Sequence, residues 1–171
     1  MQTKFEGRVW VIQREGKLVD DIDTDMIYHN SHLAITDIRQ MGQYSFGNLK
    51  GYEHFAKEAK PGDIVIAGQN FGSGSSRQQA IDCFKSLGIG CLLAKSIGAI
   101  SKRNAINSGF PIFTFESLDI SDLKTGDVIV VDIVSLTVAK EGKQIGKLDP
   151  VSKVQTDILR AGDIFAYAKK L

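Results

Sequence analysis

The sequence predicts a mixed α/β domain, and three observations point there. A strand–turn–helix–strand unit occupies the middle of the chain, strand patterns precede it, and a β-rich segment ending in a helix follows it. In the middle unit, Asp63-Ile64-Val65-Ile66-Ala67 is the short apolar run of a buried strand. Between Gln78 and Gly88 the residues Ala80, Ile81, Phe84 and Leu87 fall at i, i+1, i+4 and i+7, on one face of a helix. Gly88 stops that helix, and Ser76 with Gln79 reads as a capping box at its start. Gly90 to Ala94 returns as a second strand after a crossover of ordinary length.

The other elements follow in order. Gly7 to Gln13 alternates as a first strand, with a turn at Glu15-Gly16-Lys17; the stretch from Gln13 to Val19 makes this strand and turn long. Asp20 to Asp25 holds four carboxylates in six residues, read either as a solvated acidic turn or as a cation loop; the glycine and glutamate that an EF-hand requires are missing. Met26 to Tyr52 has no clear period. His29 and His32 lack a nearby third ligand, and Gln40 to Gly51, with three glycines, is expected to be an exposed, mobile loop. Tyr52 to Glu58 predicts a short helix ended by Pro61-Gly62. Ser96 to Asn107 predicts another, with Ile97, Ile100, Ala105 and Ile106 as core positions and Ser108-Gly109 as its end. Phe110 to Phe115, Asp127 to Val134 and Ser135 to Ala139 are expected strands, and Lys124-Thr125-Gly126 and Glu141-Gly142-Lys143 are turns. Ser152 to Lys170 closes the chain as a helix interrupted near Gly162.

At 171 residues the chain suits a single domain, 1–171, and is long enough to bury its own core. A net charge of +1 with no basic tract gives no electrostatic footprint for nucleic acid. No apolar run approaches the roughly 20 residues of a membrane helix, and the N-terminus lacks the apolar core of a signal peptide. A cytoplasmic protein is expected. Cys83 and Cys91 are the only cysteines, and both fall in apolar surroundings as buried thiols. Two cysteines do not make the ligand set of a structural zinc or an iron–sulfur cluster, so no metal site is expected on this chain.

The middle unit is joined by Gly68-Gln69-Asn70-Phe71-Gly72-Ser73-Gly74-Ser75-Ser76-Arg77, a turn that gathers backbone N–H groups and a helix's positive end at one point. A nucleotide loop would need a third glycine or a lysine that this turn lacks. A GxSxG nucleophile elbow fails too, because Phe71 stands before Ser73 and Ser73 before Ser75 where glycine is required. Two readings remain: a glycine turn that merely lets a helix pack close to a strand, and a carboxylate site. In the second, Arg77 grips a carboxylate, and Ser75 is a base whose alkoxide needs the helix dipole and a closed, positively charged surrounding.

Three segments, Asp21-Ile22-Asp23-Thr24-Asp25, the turn from Gly68 to Ala80, and Lys102-Arg103-Asn104-Ala105-Ile106-Asn107-Ser108-Gly109-Phe110-Pro111, together make a specific match. In them the sequence resembles the small subunits of 3-isopropylmalate dehydratase, the stand-alone version of the swivelling C-terminal domain of aconitase. The resemblance covers roughly residues 7 to 165. It implies a swivelling β/β/α domain and a separate large subunit carrying a [4Fe–4S] cluster, which binds the substrate hydroxyl and carboxylate as a Lewis acid. The small subunit closes the cleft, in a heterodimer or heterotetramer. By the same resemblance Ser75 removes the proton α to a carboxylate, Arg77 binds a substrate carboxylate, Ser76 lends its backbone N–H within the substrate-binding turn that includes Gly74, and Asp25 matches a catalytic aspartate.

One segment departs from the family pattern. The substrate-discriminating loop, often Tyr-Leu-Arg-x, corresponds by its distance from Asp25 to His32-Leu33-Ala34-Ile35. Ala34 stands where relatives acting on tricarboxylates place an arginine. A buried carboxylate without a partner costs several kcal/mol, so the loop suits an apolar substituent, with a protonated His32 as the one group able to offset that. The expected activity is dehydration and rehydration of a 2-hydroxy-dicarboxylic acid, isopropylmalate of leucine biosynthesis first. Dimethylmalate, citramalate and homoaconitate chemistry are the close alternatives. A non-catalytic domain that binds a small carboxylate and regulates a partner is the reading from another class.

Overall fold

The computed structural model describes residues 2–171. β1 (Lys4–Val11) runs into a small hairpin of β2 (Gln13–Arg14) and β3 (Lys17–Leu18), turned by Glu15 and Gly16, both with positive φ. This hairpin is what the long first turn of the sequence forms. α1 (Thr24–Ile27) is a single turn capped by the Asp23 carboxylate, which accepts from Met26 N–H. Three 3-10 turns, at Asn30–His32, Ile38–Gln40 and Gly42–Tyr44, and α2 (Phe55–Glu58) lead to β4 (Ile64–Ala67). α3 (Gln79–Leu87) crosses to β5 (Cys91–Ala94), and α4 (Ala99–Asn107) crosses to β6 (Ile112–Leu118). β7 (Val128–Asp132), β8 (Thr137–Lys140) and β9 (Lys143–Leu148) form a meander before α5 (Lys153–Ala161) and α6 (Ile164–Ala168).

Seven strands close a barrel in the order β1-β4-β5-β6-β9-β8-β7. β1, β4, β5 and β6 pair in parallel, and the remaining pairs are antiparallel. The two halves bury their residues differently, and strand composition follows. β4 and β5 are buried at every position. Ile64, Ile66, Cys91 and Leu93 fill the barrel, while Val65, Ala67, Leu92 and Ala94 meet an outer layer of helices. Such strands read as continuous apolar runs. The meander has one face toward water, so β7 alternates buried Ile129 and Val131 with exposed Val128.

Four expectations need correction. The segment from Gln40 to Gly51 is not an exposed loop: Met41, Phe46 and Leu49 are buried in the outer core, and the Phe46 ring lies 4.9 Å from that of Phe55 and 5.2 Å from that of Phe84. Apolar residues spaced by 3-10 turns show neither helical nor strand periodicity, so the sequence hid them. Ile100 is 46% exposed rather than core; the helix turns Ser101 and Ala105 inward instead. β9 carried no strand signal, because its Lys-rich composition masks it and Gly146 interrupts it. A Cβ on Gly146 would lie 2.9 Å from Ser117 O, so the close approach of β6 requires a glycine. The capping box also fails. The N-cap of α3 is Gln78, with no side-chain cap, and Ser76 lies outside the helix.

A buried ion pair ties the first strand to β4. Arg8 Nε and Nη2 donate to Asp63 Oδ1 and Oδ2 at 3.1 and 2.8 Å, and Trp10 Nε1 and Lys60 N–H add bonds of 2.9 Å each to Oδ2. Burial pushes the Asp63 carboxyl up, but these donors together hold it below the usual carboxylate range. A group held below its unfolded value contributes stability above that value and loses it as pH falls through the folded one. Asp63→Asn is expected to cost about 2 kcal/mol, half-solvated Arg8 softening the loss. In urea unfolding, the gap from wild type should be constant between about pH 5 and 8 and should shrink below about pH 4.

Candidate active site

The glycine turn between β4 and α3 is held on both sides by backbone. On one side the acidic segment runs beside it: Gly68 N–H donates to Val19 O at 2.9 Å, Asp21 N–H to Gln69 O at 2.8 Å, Gly72 N–H to Ile22 O at 2.7 Å and Thr24 N–H to Ser73 O at 2.8 Å. On the other, Lys95 N–H donates to Gly68 O at 3.0 Å, Phe71 N–H to Ser96 O at 3.0 Å, and Gly98 N–H to Phe71 O at 2.8 Å. The buried Ser101 hydroxyl donates to Gly72 O. Gly72 needs its identity twice over, since its φ is +74° and a Cβ would sit 2.5 Å from Ser101 Oγ.

The four carboxylates of the acidic segment have separate partners. Asp20 accepts from Gln69 N–H at 2.7 Å, Asp21 from Asn70 Nδ2 at 2.9 Å, Asp23 caps α1, and Asp25 meets Arg77. The segment is therefore neither a merely solvated turn nor a cation loop; it is the frame of the glycine turn. Among the described residues no group of three or more His, Cys, Asp or Glu side chains converges to hold a metal. Cys83 and Cys91 are both buried, on α3 and β5. Burial pushes the Cys83 thiol up to about 12 and raises that of Cys91 as well. Neither is a thiolate ready to ligate iron, and the residues of this chain do not fit an iron–sulfur cluster.

Arg77 and Asp25 are the electrostatic centre. The Arg77 side chain is 13% exposed, and its Nη1 donates to Asp25 Oδ1 at 3.0 Å and to Tyr28 O at 3.1 Å. No protein acceptor engages Nε or Nη2 among the described residues, so one edge of the fork stays open to an external carboxylate. Asp25 Oδ1 also accepts from Asn30 N–H at 3.0 Å, and Oδ2 accepts from Asn48 Nδ2 at 3.2 Å with His29 Nε2 at 4.0 Å. The Arg77 bond, then the Asn30 N–H, hold the Asp25 carboxyl below the usual range, so it is an anion at neutral pH.

Gly74, Ser75 and Ser76 are exposed beside this pair, with Gly74 at a φ of +96°. None of the backbone N–H groups from Gly74 to Gln79 has a partner among the described residues. That row of open donors ends in the uncapped start of α3, a concavity suited to an anion. Ser75 precedes the helix rather than lying within its first turn. Residues 75–77 stay out of the helix while Arg77 reaches back to α1, and this is why the Ser76–Gln79 box does not form.

His32, Leu33, Ala34 and Ile35 border the same place. Tyr28, whose carbonyl holds Arg77, donates its hydroxyl to His32 O at 2.9 Å, and Gln79 Nε2 donates to Leu33 O at 3.3 Å. The His32 ring stacks on Tyr44 at 3.7 Å, Ile35 packs on the outer core, and Leu33 and Ala34 are exposed. Asp25, Arg77 and the 32–35 loop are thus joined by hydrogen bonds, with Gly74 to Ser76 next to Arg77 in the chain. Asn30 and Asn48 join them unannounced, and Gln79, read as a capping residue, bonds Leu33 O instead. Asn48 sits in the segment without periodicity, and no local signal marks it.

The family model described as the aconitase C-terminal domain matches residues 19–117, which span the acidic segment, the glycine turn and α4. A 3-isopropylmalate dehydratase small subunit of Lachnospira eligens is 41% identical over 175 residues, covering 100% of this chain and 98% of that one. The chain belongs to this family. A methanogen homoaconitase small subunit of Methanocaldococcus jannaschii is 36% identical over 160 residues, covering 92% of this chain and 90% of its own. The crystal structure of a 3-isopropylmalate dehydratase from M. jannaschii superposes with a TM-score of 0.83 at 33% identity, covering 98% of this chain and 94% of that one. The swivelling-domain fold expected for an aconitase-type small subunit is therefore the fold of this chain, a seven-stranded mixed barrel with its helices on the parallel half. Gly72→Ala should destabilise this small subunit by about 2 kcal/mol or more, read as a lowered midpoint in urea, because both the left-handed backbone and the Ser101 contact oppose a side chain.

Proposed function

We propose that this chain, as a single swivelling domain, is the small subunit of a two-subunit hydro-lyase that dehydrates and rehydrates a 2-hydroxy-dicarboxylic acid, isopropylmalate of leucine biosynthesis first. The observation that carries the reading is Arg77, held by Asp25 with an open edge, beside an exposed Ser75 on a row of unpaired N–H groups. The small-subunit names of the relatives point to a large-subunit partner. That partner is proposed to carry the [4Fe–4S] cluster, which supplies the Lewis acid for the departing hydroxyl. No helix among the described residues is long and apolar enough to cross a membrane, and a cytoplasmic setting completes the proposal.

On this chain, the open edge of Arg77 takes a substrate carboxylate as a bidentate pair, and Asp25 keeps the guanidinium turned toward it. The backbone N–H of Ser76, with that of Gly74 in the same turn, stabilises negative charge beside Ser75. Ser75 removes the proton from the carbon α to the carboxylate while the hydroxyl leaves the neighbouring carbon, and the reverse steps re-add water with the hydroxyl moved. An exposed serine is a poor base, so docking of the partner is needed to close Ser75 away from water.

Ser75→Ala in the reconstituted complex should lower kcat by about a thousandfold or more while assembly stays intact. Full activity would leave the regulatory, non-catalytic reading. A second substrate, homoaconitate, is favoured by the name of the M. jannaschii relative. Ala34 opposes it, because no arginine stands there to meet an added carboxylate. In a panel of isopropylmalate, dimethylmalate, citramalate and homocitrate, kcat/KM for homocitrate should be at least about a hundredfold below that for isopropylmalate. Parity between them would reverse the assignment.

A further inference from the structure

We infer that Asn48 is a positioning residue of this site, keeping Asp25 on a single nitrogen of Arg77 so that the substrate-binding edge of the guanidinium stays open. The inference rests on the functional reading above and names a device within it. An arginine beside an aspartate ordinarily closes into a two-bond fork, with both carboxylate oxygens on two guanidinium nitrogens. In this structure only Oδ1 of Asp25 meets Arg77, through Nη1. The other oxygen is turned to Asn48, whose Nδ2 donates 3.2 Å to Oδ2 and 3.3 Å to the Asp25 carbonyl. With Oδ2 so held and Oδ1 fixed by Asn30 N–H at 3.0 Å, the carboxylate has no rotation that brings both oxygens to the fork. Without Asn48, Oδ2 is free to swing and take the edge that a substrate carboxylate needs.

The backbone carrying Asn48 is built to present it. Phe46, fully buried, adopts a φ of +55°, a conformation uncommon for an aromatic residue. Its N–H donates to Ile27 O at 2.8 Å, which pins the segment against α1. Leu49, also buried, returns an N–H to Phe46 O at 3.0 Å. Asn48 and Gly47 are left exposed between these two anchors, so the side chain contributes to the site rather than to the core. The charged or titratable groups that face the Asp25 carboxylate are Arg77 from the glycine turn and His29 from the turn after α1, with Nε2 at 4.0 Å.

The test is steady-state kinetics of the complex with its large subunit. For Asn48→Ala, KM for the 2-hydroxy acid should rise about tenfold and kcat should stay within about threefold, since Asp25 now competes with substrate in the ground and transition states alike. The melting temperature and assembly should match wild type. For Asn48→Asp, a carboxylate facing Oδ2 repels at high pH, and once protonated it donates to the same oxygen. Its KM should therefore exceed wild type by at least as much as that of Asn48→Ala at about pH 7 to 8, where the new carboxylate is ionised. Wild-type KM in Asn48→Ala overturns the inference, as does wild-type KM at about pH 7 to 8 in Asn48→Asp. A lowered melting temperature with reduced kcat and unchanged KM would make Asn48 a merely structural residue and overturn it equally. The wild-type complex is the control for the underlying reading. If it turns over none of the acids, the proposed function fails on its own, whatever the variants do.

Discussion

The 3.0 Å contact between Arg77 and Asp25 joins two segments 52 residues apart, and much of the site-bearing face is arranged around it. It is an ion pair of unequal partners. The Arg77 side chain is 13% exposed and that of Asp25 37%, so the pairing matters most for the arginine, whose charge would be the costlier to leave alone. Once Arg77 reaches back to α1, residues 75–77 cannot enter the helix that follows. The helix starts late, its first N–H groups remain open, and Ser75 stands on the turn instead of beneath it. The local stability that a capping box would have added, about 1 kcal/mol, is forgone at the place where open donors are useful.

The barrel explains how the turn that carries Arg77 is held. The glycine turn leaves the C-terminal end of β4, in the parallel half, where each strand is buried on one side by the barrel interior and on the other by helices. Its neighbours on either side, the acidic segment and the turn after β5, are themselves the exits of adjacent parallel structure. The turn is thereby hydrogen-bonded along both edges, which leaves only its tip, Gly74 to Ser76, without partners. Rigid flanks with an open tip suit a group that must be aimed and yet remain accessible to a second chain. The antiparallel half takes no part in this and closes the barrel on the far side.

Legibility in the sequence followed this division. β4, α3 and β5 carried strong signals because burial on both faces leaves an uninterrupted apolar run, and a helix on a sheet leaves a clean stripe. The turn residues were legible through their family pattern, and Asp25, Arg77 and the His32–Ile35 loop are joined by hydrogen bonds, with Ser75 and Ser76 next to Arg77 in the chain. What stayed hidden was structure without a period. The segment from Met41 to Leu49 buries three apolar side chains through 3-10 geometry, so a buried wall resembled a loop, and Asn48 was lost with it. β9 was missed because a glycine required by its neighbour's approach carries no strand propensity. Ile100 and Ser101 exchanged roles for a related reason: the bond from Ser101 to Gly72 O turns a polar residue inward, and periodicity alone assigns the apolar neighbour to the core.

The same geometry bears on why a site of this kind would be shared with a second chain. A serine base needs a closed surrounding, and a carboxylate-binding arginine needs an edge free of its own protein's anions. A single compact domain meets the second need only by leaving the arginine beside open surface, which defeats the first. Here Asp25 takes one nitrogen, Tyr28 O shares it, and the other edge has no protein acceptor among the described residues. The two thiols, meanwhile, are spent on packing, and burial keeps both protonated. A partner that covers this face would desolvate the serine and complete the charge around a bound carboxylate.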